Sequence, residues 1–102
     1  MEISEALDAL TSLSQEVRLK VFRLLVTASP AGMAAGAIAE TLAIAPNSLS
    51  FHLNHLRHAG LVSVTRQGRQ QIYQAQCDQV ERLKNFLTEN CCTQPGCGSL
   101  GD

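Results

Sequence analysis

The chain has 102 residues, 45% hydrophobic and 17% charged, with a formal net charge of -1. This fits one globular domain and excludes a disordered chain. No apolar run approaches the ~20 residues of a membrane span, and the acidic "MEISEALDAL" is unlike a secretory signal, so a cytoplasmic protein without membrane contact is expected.

The first element, "ISEALDALTSL", carries apolar residues at 3, 6, 7, 10 and 13, a helical rhythm, with Ser4 as the expected N-cap. "SQEVRLKVFRLLVTA" repeats Val17, Val21, Leu24 and Leu25 at helical spacing, with Ser14 as cap. Pro30 and Gly32 in "SPAGM" break the pattern. "AAGAIAETLAIA" reads as a short helix turning Ile38 and Leu42 inward, and "PNSLSFHLNHLRHAGLV" as the next. Pro46 suits a first helical turn, Leu49, Leu53 and Leu56 form one stripe, and Gly60 is placed as the stop. The short link "AIAP" is what a helix-turn-helix requires.

After Gly60 the period falls to two. "LVSVTR", a turn at Gly68, and "QQIYQAQ" predict a β-hairpin. "DQVERLKNFLTEN" predicts a last helix with Asp78 and Glu81 as a capping box and Val80, Leu83, Phe86 and Leu87 as its apolar face. The expected fold is mainly α with a small β-hairpin, a winged helix-turn-helix in the order α-α-α-α-β-β-α. It occupies residues 1–90 as one DNA-binding and dimerisation domain, followed by a flexible cysteine-containing tail, 91–102. With no Trp, one Tyr and three Phe, the core must come from Leu, Val, Ile and Ala, and dimerisation would add burial.

Charge is unevenly placed. All nine acids lie outside the segment between Thr41 and Cys77, which holds Arg57, Arg66 and Arg69 with His52, His55 and His58. A neutral protein can still present one positive face. On a helical wheel Leu53 and Leu56 fall within about 40° of Leu49, while Asn47, Phe51, Asn54 and His58 fall opposite, flanked by Ser50 and His55. That face offers amides, a hydroxyl, imidazoles and one phenyl ring. Asn suits adenine edges, Ser and His suit bases or phosphate, and Phe51 suits a thymine methyl. Asn47 and Ser48 lie in the first turn, where backbone N–H groups favour phosphate. Arg66 and Arg69 around Gly68 suit the sugar-phosphate backbone or the minor groove. An ordinary solvated helix face and a charge-protected edge hairpin are the plainer alternatives. The expected DNA-contacting set is Asn47, Ser48, Ser50, Phe51, Asn54, His55, Arg57, Arg66 and Arg69.

"SLSFHLNHLRHAGLVSVTRQGRQQIYQ" resembles the ArsR/SmtB family of bacterial metal-sensing repressors. The shared pattern is Ser50, His52 and Leu53; Leu56 and Arg57; Gly60, Leu61 and Val62; then Arg66, Gly68, Arg69 and Tyr73 in the wing. "LSQEVRLKVFRLL" is similar to the family's second helix, and the layout matches from about residue 4 to residue 90. The resemblance implies a homodimer, with the first and last helices at the interface, on an inverted-repeat operator of double-stranded DNA. Two departures stand out: Phe51, where many members carry Arg or another polar residue, and Ala45, a place often held by a capping Ser.

Four cysteines in a reducing compartment favour metal binding, redox sensing or packing over a disulfide framework. The cysteine cluster that many arsenic-responsive members carry before the recognition helix is absent from "GMAAGAIAETLA", and residues 78 to 90 hold no His. Cys91, Cys92 and Cys97 remain, with Pro95 and Gly96 between them allowing the chain to fold back. Three thiolates satisfy trivalent arsenic or antimony, whereas structural zinc usually takes four ligands. This tail resembles the C-terminal arsenite site of some family members. Zinc or cadmium with Cys77 or a partner group as fourth ligand, a thiol redox switch, and unused tail cysteines are the alternatives. Cys77 itself is expected as a small packing residue. No nucleophile, base and orienting group recur at catalytic spacing, so no enzyme and no organic cofactor are expected. The expected function is a homodimeric repressor released by As(III) or Sb(III). A redox-responsive regulator and a protein–protein module of the same fold are the other classes.

Overall fold

The computed structural model describes residues 1–91. Helix α1 (Ile3–Leu13) begins two residues earlier than Ser4 would set it. Glu2 is the N-cap, and its N–H donates to the Glu5 carboxylate at 2.8 Å. Ser4 lies inside the helix because the chain leaves its extended conformation at Glu2. Helix α2 (Glu16–Thr27) is capped by Gln15, whose side-chain oxygen accepts from the Arg18 N–H at 2.8 Å. Ser14, the expected cap, instead closes α1, donating its hydroxyl to the Thr11 carbonyl at 2.8 Å.

A two-residue strand, β1 (Met33–Ala34), follows Gly32. Gly32 has φ of +82°, and a Cβ there would run into the Tyr73 carbonyl oxygen, so only glycine lets the chain pass this close to the sheet. Helix α3 (Ala35–Leu42) ends in a left-handed Ala43, with the Ile44 N–H on the Ala39 carbonyl at 3.0 Å. Helix α4 (Pro46–His58) carries Pro46 in its first turn as expected. It closes in a Schellman motif: Gly60 N–H to the Arg57 carbonyl and Leu61 N–H to the Leu56 carbonyl, both 3.0 Å, with Gly60 at φ +75°.

Strands β2 (Val62–Gln67) and β3 (Gln70–Ala75) pair antiparallel in the register Val62↔Ala75 to Gln67↔Gln70. Gly68, at φ +63°, begins the two-residue turn. β1 adds to the far side of β3, giving a three-stranded sheet in the order β1-β3-β2. The last helix, α5 (Cys77–Leu87), starts one residue before the expected Asp78. Its N-cap is Gln76, without a side-chain cap, so Asp78 and Glu81 do not form the capping box. Cys77 is an exposed first-turn residue rather than a packing residue. The predicted winged helix-turn-helix order holds, with β1 added. No helix among the described residues is long and apolar enough to cross a membrane.

The core joins Val21 and Leu25 of α2, Ile38 of α3, and Leu49, Leu53 and Leu56 of α4 with Leu61, all at most 1% exposed. Leu42, expected inward, is half-buried. Helix α1 has two unlike faces. Ala6, Ala9 and Ser12 turn inward, and these short side chains let α1 lie close to α2 and α4. Ile3, Leu7 and Leu10 turn outward, at 68%, 56% and 42% exposure. In α5 Leu83 is buried, Val80 and Phe86 are half-buried and Leu87 is exposed, so its predicted apolar face is split in the same way. Arg82 of α5 reaches Glu5 of α1 at 3.8 Å, an exposed pair that adds little stability.

Candidate nucleic-acid interface

The leucine stripe fixes the rotation of α4. With Leu49, Leu53 and Leu56 buried, Asn47, Ser48, Ser50, Phe51, Asn54, His55, Arg57 and His58 are all exposed on the remaining surface. The six-residue hairpin strands then hold Arg66 and Arg69 at the tip, both exposed, with Arg66 Nε donating to the Gly68 carbonyl at 3.4 Å. The two groups of expected contacts therefore lie on separate elements, a helix face and a wing tip.

Two acids approach these groups from elements remote in sequence. A hollow of about 450 Å³ between α1 and α4 is lined by Asp8, Thr11, Phe51, Asn54, His55 and His58. A second, of about 510 Å³, lies between α3 and the wing and is lined by Ala35, Gly36, Ala37 and Glu40 together with Arg66 and Arg69. The acid-free run of sequence is thus bordered in space by Asp8 and Glu40. Residues 35–37 at the start of α3 are Ala, Gly and Ala, and no side chain caps the helix, so its N-terminus lies open beside the two arginines and Glu40.

His52, absent from the expected contacts, is tied to the core instead. Arg18 is only 8% exposed and makes no salt bridge among the described residues. Its Nε donates to the Ser12 carbonyl at 2.8 Å and its Nη1 lies 3.4 Å from His52 Nδ1. Burial, then the Arg18 charge, then His55 hold the His52 imidazole below its usual range. The signal was present in sequence: Arg18 shares the helical phase of Val21 and Leu25, which places it on the inward side of α2. Phe51 packs edge-on against both imidazoles, centroid distances 5.2 Å to His55 and 5.7 Å to His52.

Of the three cysteines expected to bind an inducer, Cys91 is exposed just beyond α5, its N–H on the Thr88 carbonyl at 2.8 Å. Cys92 and Cys97, like the rest of the predicted tail, lie outside the described residues. Among the described residues, no group of three or more His, Cys, Asp or Glu is placed to hold a metal ion.

The model of the helix-turn-helix domain family matches residues 13–65, more than half of the chain. No curated protein matches. Among solved structures, an ArsR-like transcriptional regulator from Rhodococcus sp. RHA1 is 26% identical with a TM-score of 0.75, covering 83% of this chain and 77% of that one. The homodimeric winged helix-turn-helix DNA-binding domain of a possible ArsR-family regulator from Mycobacterium bovis is 26% identical with a TM-score of 0.70, covering 84% and 77%. NolR from Sinorhizobium fredii is 27% identical with a TM-score of 0.64, covering 85% and 84%. The leucine-backed helix α4, the wing and these matches together assign the chain to the helix-turn-helix domain family, among the ArsR-type winged-helix transcriptional regulators.

Proposed function

We propose that the protein is a homodimeric repressor that binds an inverted-repeat DNA operator and is released when trivalent arsenic or antimony binds Cys91, Cys92 and Cys97. The observation that carries the DNA reading is the outward face of α4. It is entirely exposed, backed by three fully buried leucines, and made of amides, hydroxyls, imidazoles, an arginine and the Phe51 ring, without an acid of its own. The wing arginines and the bare first turn of α3 supply a second contact for phosphate. The family and fold are those of DNA-binding regulators, not of enzymes.

The homodimer is supported by the apolar stripe of Ile3, Leu7 and Leu10 on α1 and by Leu87 on α5, helices that pack together in one subunit. A two-fold axis through this surface would place two copies of α4 for two half-sites. The Mycobacterium bovis winged helix-turn-helix domain, described as homodimeric, supports the same assembly.

The inducer reading rests on donor chemistry in the sequence. Three thiols within seven residues suit a trivalent metalloid, which needs no fourth ligand. Binding near the end of α5 would act on the dimer surface, and it releases DNA only if the low-affinity arrangement holds the metalloid more tightly. The test is anisotropy of a labelled duplex, recovered from a random-core library by selection on the full chain and titrated with arsenite, antimonite, zinc and peroxide. Arsenite or antimonite should dissociate the complex. Single Cys→Ser changes at 91, 92 and 97 should abolish that response and spare DNA binding, with Cys77→Ser neutral. Dissociation by zinc or peroxide alone sinks the metalloid reading and leaves the alternative inducers.

A further inference from the structure

Phe51 projects from the outward face of α4 and is 60% exposed. A bare phenyl ring on a face otherwise built from hydrogen-bonding groups cannot read base edges by donating or accepting. It discriminates only by apolar contact. Two imidazoles flank it. His55 meets it edge-on at 5.2 Å and 63°, and His52 at 5.7 Å and 73°. His52 is in turn set by Arg18, a buried guanidinium anchored on the Ser12 carbonyl. A guanidinium has donors and no acceptor, so the Nδ1 facing it carries the lone pair and the ring proton sits on Nε2. A chain of contacts thus runs from the corner between α1 and α2, through His52, to the phenyl ring on the reading face.

We propose that Phe51 reads the C5-methyl group of a pyrimidine in the major groove, with Arg18 and His52 as positioning residues. The protein then separates thymine from uracil, and 5-methylcytosine from cytosine, at one position of each half-site. This rests on the DNA-binding reading above and deepens it. The C5-methyl is the apolar feature that the major groove offers, and a ring flanked by two imidazoles has less freedom to lose on meeting it. Burying one methyl favours binding about 4-fold, and symmetry in a dimer raises this to about 15-fold.

The experiment uses the full chain and the duplex recovered by selection. Each thymine is replaced by deoxyuridine, symmetrically in both half-sites, and the dissociation constant is measured at fixed salt. One symmetric pair should weaken binding about 15-fold. At that pair, 5-methylcytosine should bind more tightly than cytosine by a similar factor. Phe51→Ala should bind thymine and uracil duplexes equally. His52→Ala should lower the thymine-to-uracil ratio, a readout that simple loss of stability would not move, with thermal melting confirming that both variants fold. If selection recovers no preferred duplex, this inference and the operator reading fall together. If a preferred duplex exists but no thymine methyl matters, or Phe51→Ala keeps the ratio, this inference alone is overturned. An unchanged ratio in His52→Ala removes the positioning roles.

Discussion

Leu7 tests the dimer through a single side chain. It stands 56% exposed on the outer face of α1, in line with Ile3 and Leu10. Burying a whole leucine is worth about 2 kcal/mol, so covering its exposed half yields about 1 kcal/mol per subunit. Two-fold symmetry places the residue in the interface twice, giving about 2 kcal/mol, roughly 30-fold in the dimer dissociation constant. Leu7→Ala removes that contact while keeping the best helix former at the position, so α1 itself is not weakened. Sedimentation equilibrium over a concentration series should show the roughly 30-fold loss. Leu19→Ala on α2, where Leu19 is 42% exposed on a different helix, serves as the control and should associate as the parent does. A Leu7→Ala protein with the parent's constant, or an equal loss from Leu19→Ala, refutes the assignment of the α1 face.

Ala43 holds φ of +54° at the end of α3, so Ala43→Gly should stabilise the fold by about 1 kcal/mol in urea titration, and destabilisation would contradict the left-handed turn. If Arg69 meets one phosphate in each half-site, Arg69→Ala should make the slope of log affinity against log salt shallower by about 2 for the dimer; an unchanged slope removes the wing from the contact. Because His52 is held below its usual range, the unfolded chain takes up its proton first. The His52 contribution is therefore present above the ordinary histidine value and lost as pH falls through it. Between about pH 7.5 and about pH 5.5, His52→Gln should show a smaller loss of urea stability than the parent, and equal losses would deny His52 that role.

Helix α4 was legible because its period is strong and its ends are marked. Leu49, Leu53 and Leu56 define the buried side, Pro46 starts the helix, and Gly60 stops it with both expected carbonyls satisfied. The caps were harder, because a serine or aspartate near a helix start is a competent acceptor only where the backbone is still extended. Glu2 and Gln15 occupy such places, one or two residues from Ser4 and Ser14, and Gln76 precedes α5 two residues before Asp78. Two-residue β1 is too short for alternation to show, and it exists because Gly32 lets the chain reach Tyr73 and Ile72. The remaining differences are long-range. Asp8 and Glu40 border the interface, and Arg18 meets His52 across 34 positions, relations that no local spacing encodes.

The short inner face of α1 makes its order depend on copy number. Within one subunit it docks through Ala6, Ala9, Ser12 and half-buried Leu13, which remove little hydrocarbon from water. Its larger side chains gain cover only when a second chain arrives. Amide exchange along α1 should therefore slow as protein concentration rises, well before α4 changes, because mass action stabilises whatever the dimer buries. At low abundance a newly made chain would then hold α4 firmly and α1 less so, and a second copy would close the difference.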